Sequence, residues 1–288
     1  MMKIADNWQD YQIIDMSNGE KIEKWGDYIL RRPDPQIIWE DNNFDNIKVD
    51  ALYNRSNKGG GYWEYKNKIK DRWHIKYKDL TFNIKLMDFK HTGLFPEQAV
   101  NWDYMIDKIK SSNRPIKVLN LFAYTGGATV ACTYAGATVT HVDSSKGIVE
   151  WAKENMKSSN LGDKPIRYIV DDVIKFVERE IRRGNKYDAV IMDPPSYGRG
   201  ANGEVWKLED HLFNLVALCS KVLSDNPLFF LINSYTTGLS PIVLENIFRI
   251  TINNIYKGKI TSGEIGLAMH NSDLVLPCGI YGRWENED

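Results

Sequence analysis

The residues of this chain best placed to do chemistry are small, acidic or hydroxyl-bearing groups that each follow a short apolar run. Val118, Leu119, Leu121 and Phe122 lead into Ala123, Tyr124, Thr125, Gly126 and Gly127, and then into the small-residue stretch Ala128 to Ala135. This pattern reads as strand, glycine turn and helix. Glycines at such a turn let the backbone come within van der Waals reach of a bound molecule, and the unpaired N–H groups at a helix start add a polar surface. A second run, Thr138 to Val142, ends in Asp143, Ser144 and Ser145. A carboxylate there can accept hydrogen bonds from both hydroxyls of a ribose. A pyrophosphate cradle needs Gly-x-Gly-x-x-Gly, and the turn has no third glycine in register. The pattern therefore suits adenosine without a pyrophosphate, and the expected cofactor is S-adenosylmethionine, with S-adenosylhomocysteine as product. The competing reading is an ordinary α/β unit with a glycine turn and a capping Asp.

Ligands of open α/β sheets bind at the carboxyl ends of the strands, so the residues after each further run come next. Ile166 to Val170 is followed by Asp171, Asp172 and Val173. Asp172 could accept from an adenine amino group while Val173 packs on the ring; alternatively Asp171 and Asp172 serve as helix caps. Tyr187 to Met192 is followed by Asp193, Pro194, Pro195, Ser196 and Tyr197. Two prolines fix an extended backbone and cannot donate, which leaves carbonyl oxygens as acceptors beside an acid. Such acceptors suit an amino group or ring nitrogen awaiting a methyl. The glycine-rich stretch from Gly198 to Trp206 carries Arg199 and Glu204 and reads as a substrate lid or as a plain surface loop. Leu228 to Ile232 ends in Asn233, Ser234 and Tyr235.

These residues require a scaffold of alternating strands and helices from Lys117 onward, which implies a parallel sheet covered on both faces. The segment from Gly263 to Trp284 reads as two more strands turning at Asn271-Ser-Asp273, and Lys90 to Gln98 as a turn into a helix reaching about Lys110, with Pro96 in its first turn. The first 50 residues read as a hairpin and an edge segment. A β-rich N-terminal domain over residues 1–87 and a larger α/β domain over 88–288 are expected. With 288 residues, net charge −1, 43% hydrophobic and 26% charged residues, the composition is that of a globular protein. No apolar run approaches a membrane span and no signal-peptide core follows Met1, so a cytoplasmic location without membrane contact is expected. Cys132, Cys219 and Cys278 are far apart and lack His at ligand spacing, so neither disulfides nor a metal site is expected.

Charge is unevenly placed. Residues 1–50 hold six Lys/Arg against eleven Asp/Glu, whereas residues 51–92 hold ten against four. The second stretch interleaves Tyr62, Trp63, Tyr65, Trp73, Tyr77 and Phe82 with Lys66, Lys68, Lys70, Arg72, Lys76 and Lys78. Such a pattern can stack bases and neutralise phosphates, or it can be the core and solvated rim of a small β-domain.

Taken together, Asn120 to Gly127, Asp143, Asp172-Val173 and Asp193-Pro-Pro resemble the class I S-adenosylmethionine-dependent methyltransferases. The similarity is to the bacterial group containing the 23S rRNA cytosine-C5 and guanine-N7 enzymes, in a branch with a small β-rich N-terminal domain. It covers about residues 88 to 285. The resemblance implies a Rossmann-like sheet of seven strands with the last antiparallel, and RNA, ribosomal RNA above all, as partner. By the same resemblance Phe122 to Gly127 line the methionine and ribose end of the cofactor, Asp143 holds the ribose, and Asp172 and Val173 meet the adenine. Asp193 lies near the transferred methyl, and Phe95 and Gln98 close the pocket. The expected acceptor contacts are Asp193 and the Pro194 carbonyl, with Tyr197 or Tyr235 stacking on the base. Three departures are visible: Ala99 stands where the group has arginine, Ser196 precedes the aromatic Tyr197, and Ile232 to Thr236 lacks the cysteine that cytosine-C5 chemistry needs. A nitrogen, or else an oxygen, acceptor in RNA is therefore expected. Alternatives are a protein or small-molecule acceptor, or an RNA-binding protein without turnover. The oligomeric state is left open.

Overall fold

The computed structural model describes residues 2–41, 44–56, 60–199 and 205–287. Contacts divide the chain into two compact units, Ile4–Ala99 with Gly266–Pro277, and Met1–Lys3 with Val100–Ile265 and Cys278–Asp288.

After the short strand β1 (Lys3–Ile4), strands β2 (Tyr11–Ser17), β3 (Glu20–Trp25), β4 (Tyr28–Pro33), β5 (Ala51–Arg55) and β6 (Gly61–Tyr65) follow one another across a five-stranded sheet. Where one hairpin and an edge segment were expected, β2, β3 and β4 form a continuous antiparallel meander. Its first turn is Asn18-Gly19, both left-handed as a tight hairpin of this hand requires. The strands β7 (Trp73–Tyr77) and β8 (Leu80–Ile84) form a separate hairpin, in which Trp73, Ile75 and Tyr77 point inward and His74 and Lys76 outward. Trp73 Nε1 donates to the Trp25 carbonyl at 2.9 Å, which ties this hairpin to β3. The basic-aromatic stretch thus divides. Trp73, Tyr77 and Phe82 are core, whereas Tyr62 and Tyr65 are exposed. Within the core the Glu23 carboxylate accepts from Arg32 Nε and Nη2 at 2.6 and 2.7 Å and from the Tyr11 hydroxyl at 2.7 Å. Burial alone would raise the Glu23 pKa, but the charges of Arg32 and Lys21 bring it down to about 2.

The second unit carries α1 (Ala99–Ser111), β9 (Lys117–Leu121), α2 (Gly127–Tyr134), β10 (Thr138–Asp143), α3 (Lys146–Ser158), β11 (Ile166–Val170), α4 (Val173–Arg183) and β12 (Ala189–Met192). There follow the short hairpin β13 (Tyr197–Arg199) and β14 (Val205–Lys207), then α5 (Leu208–Ser220), β15 (Phe229–Ser234), α6 (Pro241–Thr251), β16 (Gly258–Ala268) and β17 (Val275–Asn286), the last two without the stretch Gly266–Pro277, which belongs to the first unit. A 3-10 turn over Pro96–Gln98 leads into α1. The large sheet has the order β1-β16-β17-β15-β12-β9-β10-β11. The strands from β15 to β11 are parallel and β17 runs antiparallel beside β15. These are the seven expected strands with β1 as an added two-residue edge. Leu119, Leu121, Val142, Val190, Met192, Phe230 and Ile232 pack against α4, α5 and α6 through Phe176, Val177, Leu212, Val216, Leu244 and Phe248. No described helix is long and apolar enough to cross a membrane.

Candidate active site

Register brings the chemistry together. Leu121 pairs with Val142 on one side and Met192 on the other, and Met192 pairs with Ile232. The next residues, Asp143, Phe122, Asp193 and Asn233, therefore form one row along the carboxyl edge of four adjacent strands. With strands about 4.8 Å apart, Asp143 and Asp193 lie about 10 Å apart on either side of the glycine turn.

The β10 side is built from fixed polar contacts. Asp143 accepts from Tyr124 N through Oδ2 and from Ser145 N through Oδ1, both at 2.9 Å. Each carboxylate oxygen has a second lone pair, so Asp143 keeps the capacity to accept from a diol while its orientation is set by backbone. Ala123 N donates to Val142 O at 3.0 Å, and the Asn155 amide donates to Thr125 O at 2.8 Å from a fully buried position on α3. Phe122 (φ 52), Tyr124 (φ 48) and Gly126 (φ 83) are all left-handed. For two bulky residues this is a strained backbone that the surroundings must hold in place. Beneath it, Asn120 Nδ2 donates to Thr129 Oγ1 at 3.0 Å, and Thr129 Oγ1 is 2.9 Å from His141 Nδ1. Burial pushes the His141 imidazole down to about 3, so it is neutral at physiological pH. Its Nε2 is buried without a partner.

The two glycines have a reason that spacing did not reveal. A Cβ on Gly126 would sit 2.9 Å from Ala152 Cβ, and one on Gly127 would sit 2.8 Å from Trp102 Cζ2. Both positions are set by helices α3 and α1 closing on the turn. On the next strand, Asp172 caps α4 by accepting from Lys175 N at 2.9 Å, and Asp171 is ion-paired with Arg179. Val173 is buried in the core cluster beside Phe176 and Val177. Ser144 and Ser145 are exposed, and Ser145 stands at the N-cap of α3.

The β12 side is more open. Asp193 is half-buried, Pro194 buried, and Tyr197 53% exposed. The Pro195 carbonyl is occupied by Trp206 Nε1 at 2.6 Å, and Ser196 Oγ accepts from Thr236 Oγ1 at 2.7 Å. Trp206 stacks on His211 at 4.9 Å and lies 5.9 Å from the Phe122 ring, so β14 bridges the Asp193-Pro-Pro loop and the glycine turn. Of the expected lid, residues 200–204 lie outside the described residues. Asn233, at the end of β15, is fully buried and accepts from Asn101 Nδ2 at 3.3 Å. Arg283 of β17 donates to Asn101 Oδ1 at 2.8 Å and lies over the Tyr104 ring at 4.0 Å. Phe95 and Gln98 belong to the other compact unit, where Phe95 packs near His91 and its carbonyl accepts from Gln98 N at 3.1 Å.

Sequence reasoning included Asn120 in the glycine-turn motif without giving it a role, and missed Thr129, His141 and Asn155. The available signal was a polar residue inside an apolar run: Asn120 interrupts Val-Leu-x-Leu, and His141 sits between Thr140 and Val142. Cys132 and Cys219 are buried, and burial pushes both thiols up, the opposite of what a nucleophile needs.

A family profile described as S-adenosylmethionine-dependent methyltransferase matches residues 54–249. The chain belongs to that family. A solved SAM-dependent methyltransferase from Agrobacterium tumefaciens is 35% identical, with a TM-score of 0.92 over 100% of this chain and 94% of that one. A Streptococcus mutans methyltransferase structure shares the fold at a TM-score of 0.74 and 19% identity, covering 97% of this chain and 76% of that one. Among curated relatives, the ribosomal RNA large subunit methyltransferase K/L of Syntrophotalea carbinolica is 27% identical over 207 residues, 69% of this chain but 28% of that protein. That of Pseudoalteromonas atlantica is 35% identical over 134 residues, 46% of this chain and 18% of that protein. This chain therefore spans under a third of the length of either relative. In this methyltransferase the donor set fits the family's cofactor. Asp143 keeps acceptor capacity for a ribose, and α2, with Gly126 at its N-cap, has no side-chain cap on its first N–H groups.

Proposed function

We propose that this protein transfers the methyl group of S-adenosylmethionine to a nitrogen of an RNA base, with ribosomal RNA as the acceptor class. The observation that carries the reading is the row Asp143, Phe122, Asp193 and Asn233, which flanks the glycine turn with one carboxylate on either side. Asp143 orients the ribose, the turn from Phe122 to Gly127 lines the methionine end, and Asp172 and Val173 border the adenine. When bound, the cofactor supplies an electrophilic methyl on a sulfonium, so this chain needs no group to activate it. The work left to the protein is alignment of the acceptor lone pair with the carbon–sulfur bond. Asp193 accepts from an N–H of the acceptor and so fixes where its lone pair points. The acceptor nitrogen must lose a proton when it takes up the methyl group, and Asp193 would accept that proton or pass it to water. Pro194 keeps the backbone beside Asp193 extended, and the exposed ring of Tyr197 offers a stacking surface for the base.

The curated relatives' names support RNA as acceptor, and so does the exposed part of the basic-aromatic stretch. The deciding experiment is transfer of tritiated methyl to ribosomal subunits and total RNA from a strain lacking this gene, with protein extract in parallel. Label in RNA is expected, and nucleoside digestion then names the atom. Label in protein or small molecules alone would replace the RNA reading with a different acceptor on the same fold.

A further inference from the structure

The aromatics of the N-terminal unit are buried or half-buried except Tyr62, Tyr65 and Phe89, which are exposed. Gly61, Trp63 and Tyr65 share one face of the edge strand β6, and Tyr53 and Arg55 share that face on β5, because Tyr53 pairs with Trp63 and Arg55 with Gly61. The segment after β8 is tied to this face. Trp63 Nε1 donates to the Met87 carbonyl at 2.8 Å and the Tyr53 hydroxyl to the Asp88 carbonyl at 3.2 Å. Phe89 is thereby held beside the start of β6, 3.7 Å from where a Cβ on Gly60 would lie, and remains 60% exposed. Tyr65, at the other end of the strand, is 58% exposed. The strand between them is about 13 Å long.

Cations stand at both ends. Arg55 is exposed at the Phe89 end. Lys90, next to Phe89, is half-buried and held below the usual lysine range chiefly by that burial. Lys68 and Lys70 are exposed just beyond Tyr65. The acid of this strand, Glu64, points to the opposite face and is held by Asn54 and Lys66. Two exposed rings separated by a strand's length, with cations at each end, match an extended polyanion whose bases are free to stack. A duplex hides its base faces and offers only phosphates and hydroxyls.

We infer that the two ends of this face, left open where Met87 and Asp88 cover its middle, bind single-stranded RNA, Tyr65 and Phe89 stacking on unpaired bases while Arg55, Lys68 and Lys70 hold the backbone phosphates. The inference rests on the RNA reading above and deepens it by naming the form of the RNA and the surface that takes it. Stacking of this kind tolerates any base, so the face adds affinity and leaves the choice of target to the site on the other unit.

The test uses the full chain and fluorescence anisotropy with a short fluorescein-labelled single-stranded RNA and a duplex of the same sequence. Tyr65→Ala and Phe89→Ala are each expected to weaken single-strand binding about tenfold. Arg55→Glu is expected to weaken it and to lower the slope of log Kd against log salt by about 1. All three positions are exposed, so melting temperature and S-adenosylhomocysteine affinity, measured alongside, are expected to stay unchanged. Unaltered single-strand affinity in all three variants, with tritiated methyl still entering RNA, would overturn the face and leave the acceptor reading standing. No binding of either RNA by the wild type, with label only in protein, would overturn both.

Discussion

Around β10 the carboxyl edge of the sheet is held by backbone. Two N–H groups fix the Asp143 carboxylate, a buried amide holds the Thr125 carbonyl, and three left-handed residues are locked over a buried Asn120–Thr129–His141 chain. Around β12 the same edge is held by side chains at the surface, one indole on the Pro195 carbonyl and one pair of hydroxyls, and by a hairpin of two three-residue strands. The first construction suits a ligand of unchanging shape and stores strain that only dense packing can maintain. The second suits a larger partner that must enter and leave. The difference teaches that the β10 half is preorganised by the fold, whereas the β12 half is shaped by a few replaceable contacts; in the proposed function these are the cofactor and acceptor halves.

Substitutions on the two sides should separate accordingly. Gly126→Ala should have the largest effect, about 3 kcal/mol in denaturant unfolding together with loss of cofactor binding, because it adds both a left-handed penalty and a contact with Ala152. A loss below about 0.5 kcal/mol would show that the turn is not locked as described. Asp143→Ala should weaken S-adenosylhomocysteine binding in calorimetry by about 2 kcal/mol, since charge-assisted bonds to the diol are lost and two N–H groups are left unpaired. Equal affinity in wild type and variant would remove Asp143 from the cofactor site.

On the acceptor side, Asp193→Asn should lower kcat about thirtyfold while cofactor affinity stays within about twofold, since it keeps the shape but loses the charge that aligns the acceptor. A parallel fall in cofactor affinity would erase the distinction between the halves. The pH dependence sharpens it further. His141 titrates near 3 in the fold against 6.5 when unperturbed, so the unfolded chain binds the extra proton first. Its contribution to stability is complete above pH 6.5 and declines as pH falls toward 3. Melting curves at decreasing pH should show this decline, and it should shrink in His141→Phe. Trp206→Phe should have the smallest effect, within about 1 kcal/mol in stability and a few-fold in turnover, because one exposed hydrogen bond is removed while the ring contacts remain.

Much of the fold could be read directly. Alternating apolar runs and helical stretches give a parallel sheet because each run is too apolar to leave either face in water, and β9, β10 and β12 lie where those runs were seen. The N-terminal unit was less legible. Tyr11 to Pro33 makes two hairpins, and the second turns at Gly26 and Asp27, which carry a weaker turn signal than Asn18-Gly19. The basic-aromatic stretch was ambiguous because alternation alone does not say which face of a strand is covered. Only packing separates Trp73 and Tyr77, inside, from Tyr62 and Tyr65, outside.

By itself the sequence determined the local chemistry: a glycine turn after an apolar strand, an acid at the end of the next, and an acid before two prolines. Each follows from residue type and a few neighbours, because turns, caps and strand ends are short-range. The tertiary structure decided which of those groups stand together. Strand order puts β9 between β10 and β12 and so sets Asp143 and Asp193 on opposite sides of the turn. Helices α1 and α3 decide that Gly126 and Gly127 must lack a side chain. The buried hydrogen bonds of Asn120, Thr129, His141 and Asn155 join residues up to 30 positions apart. Such pairings depend on which strands lie side by side, and that is settled only when the whole sheet closes on its core.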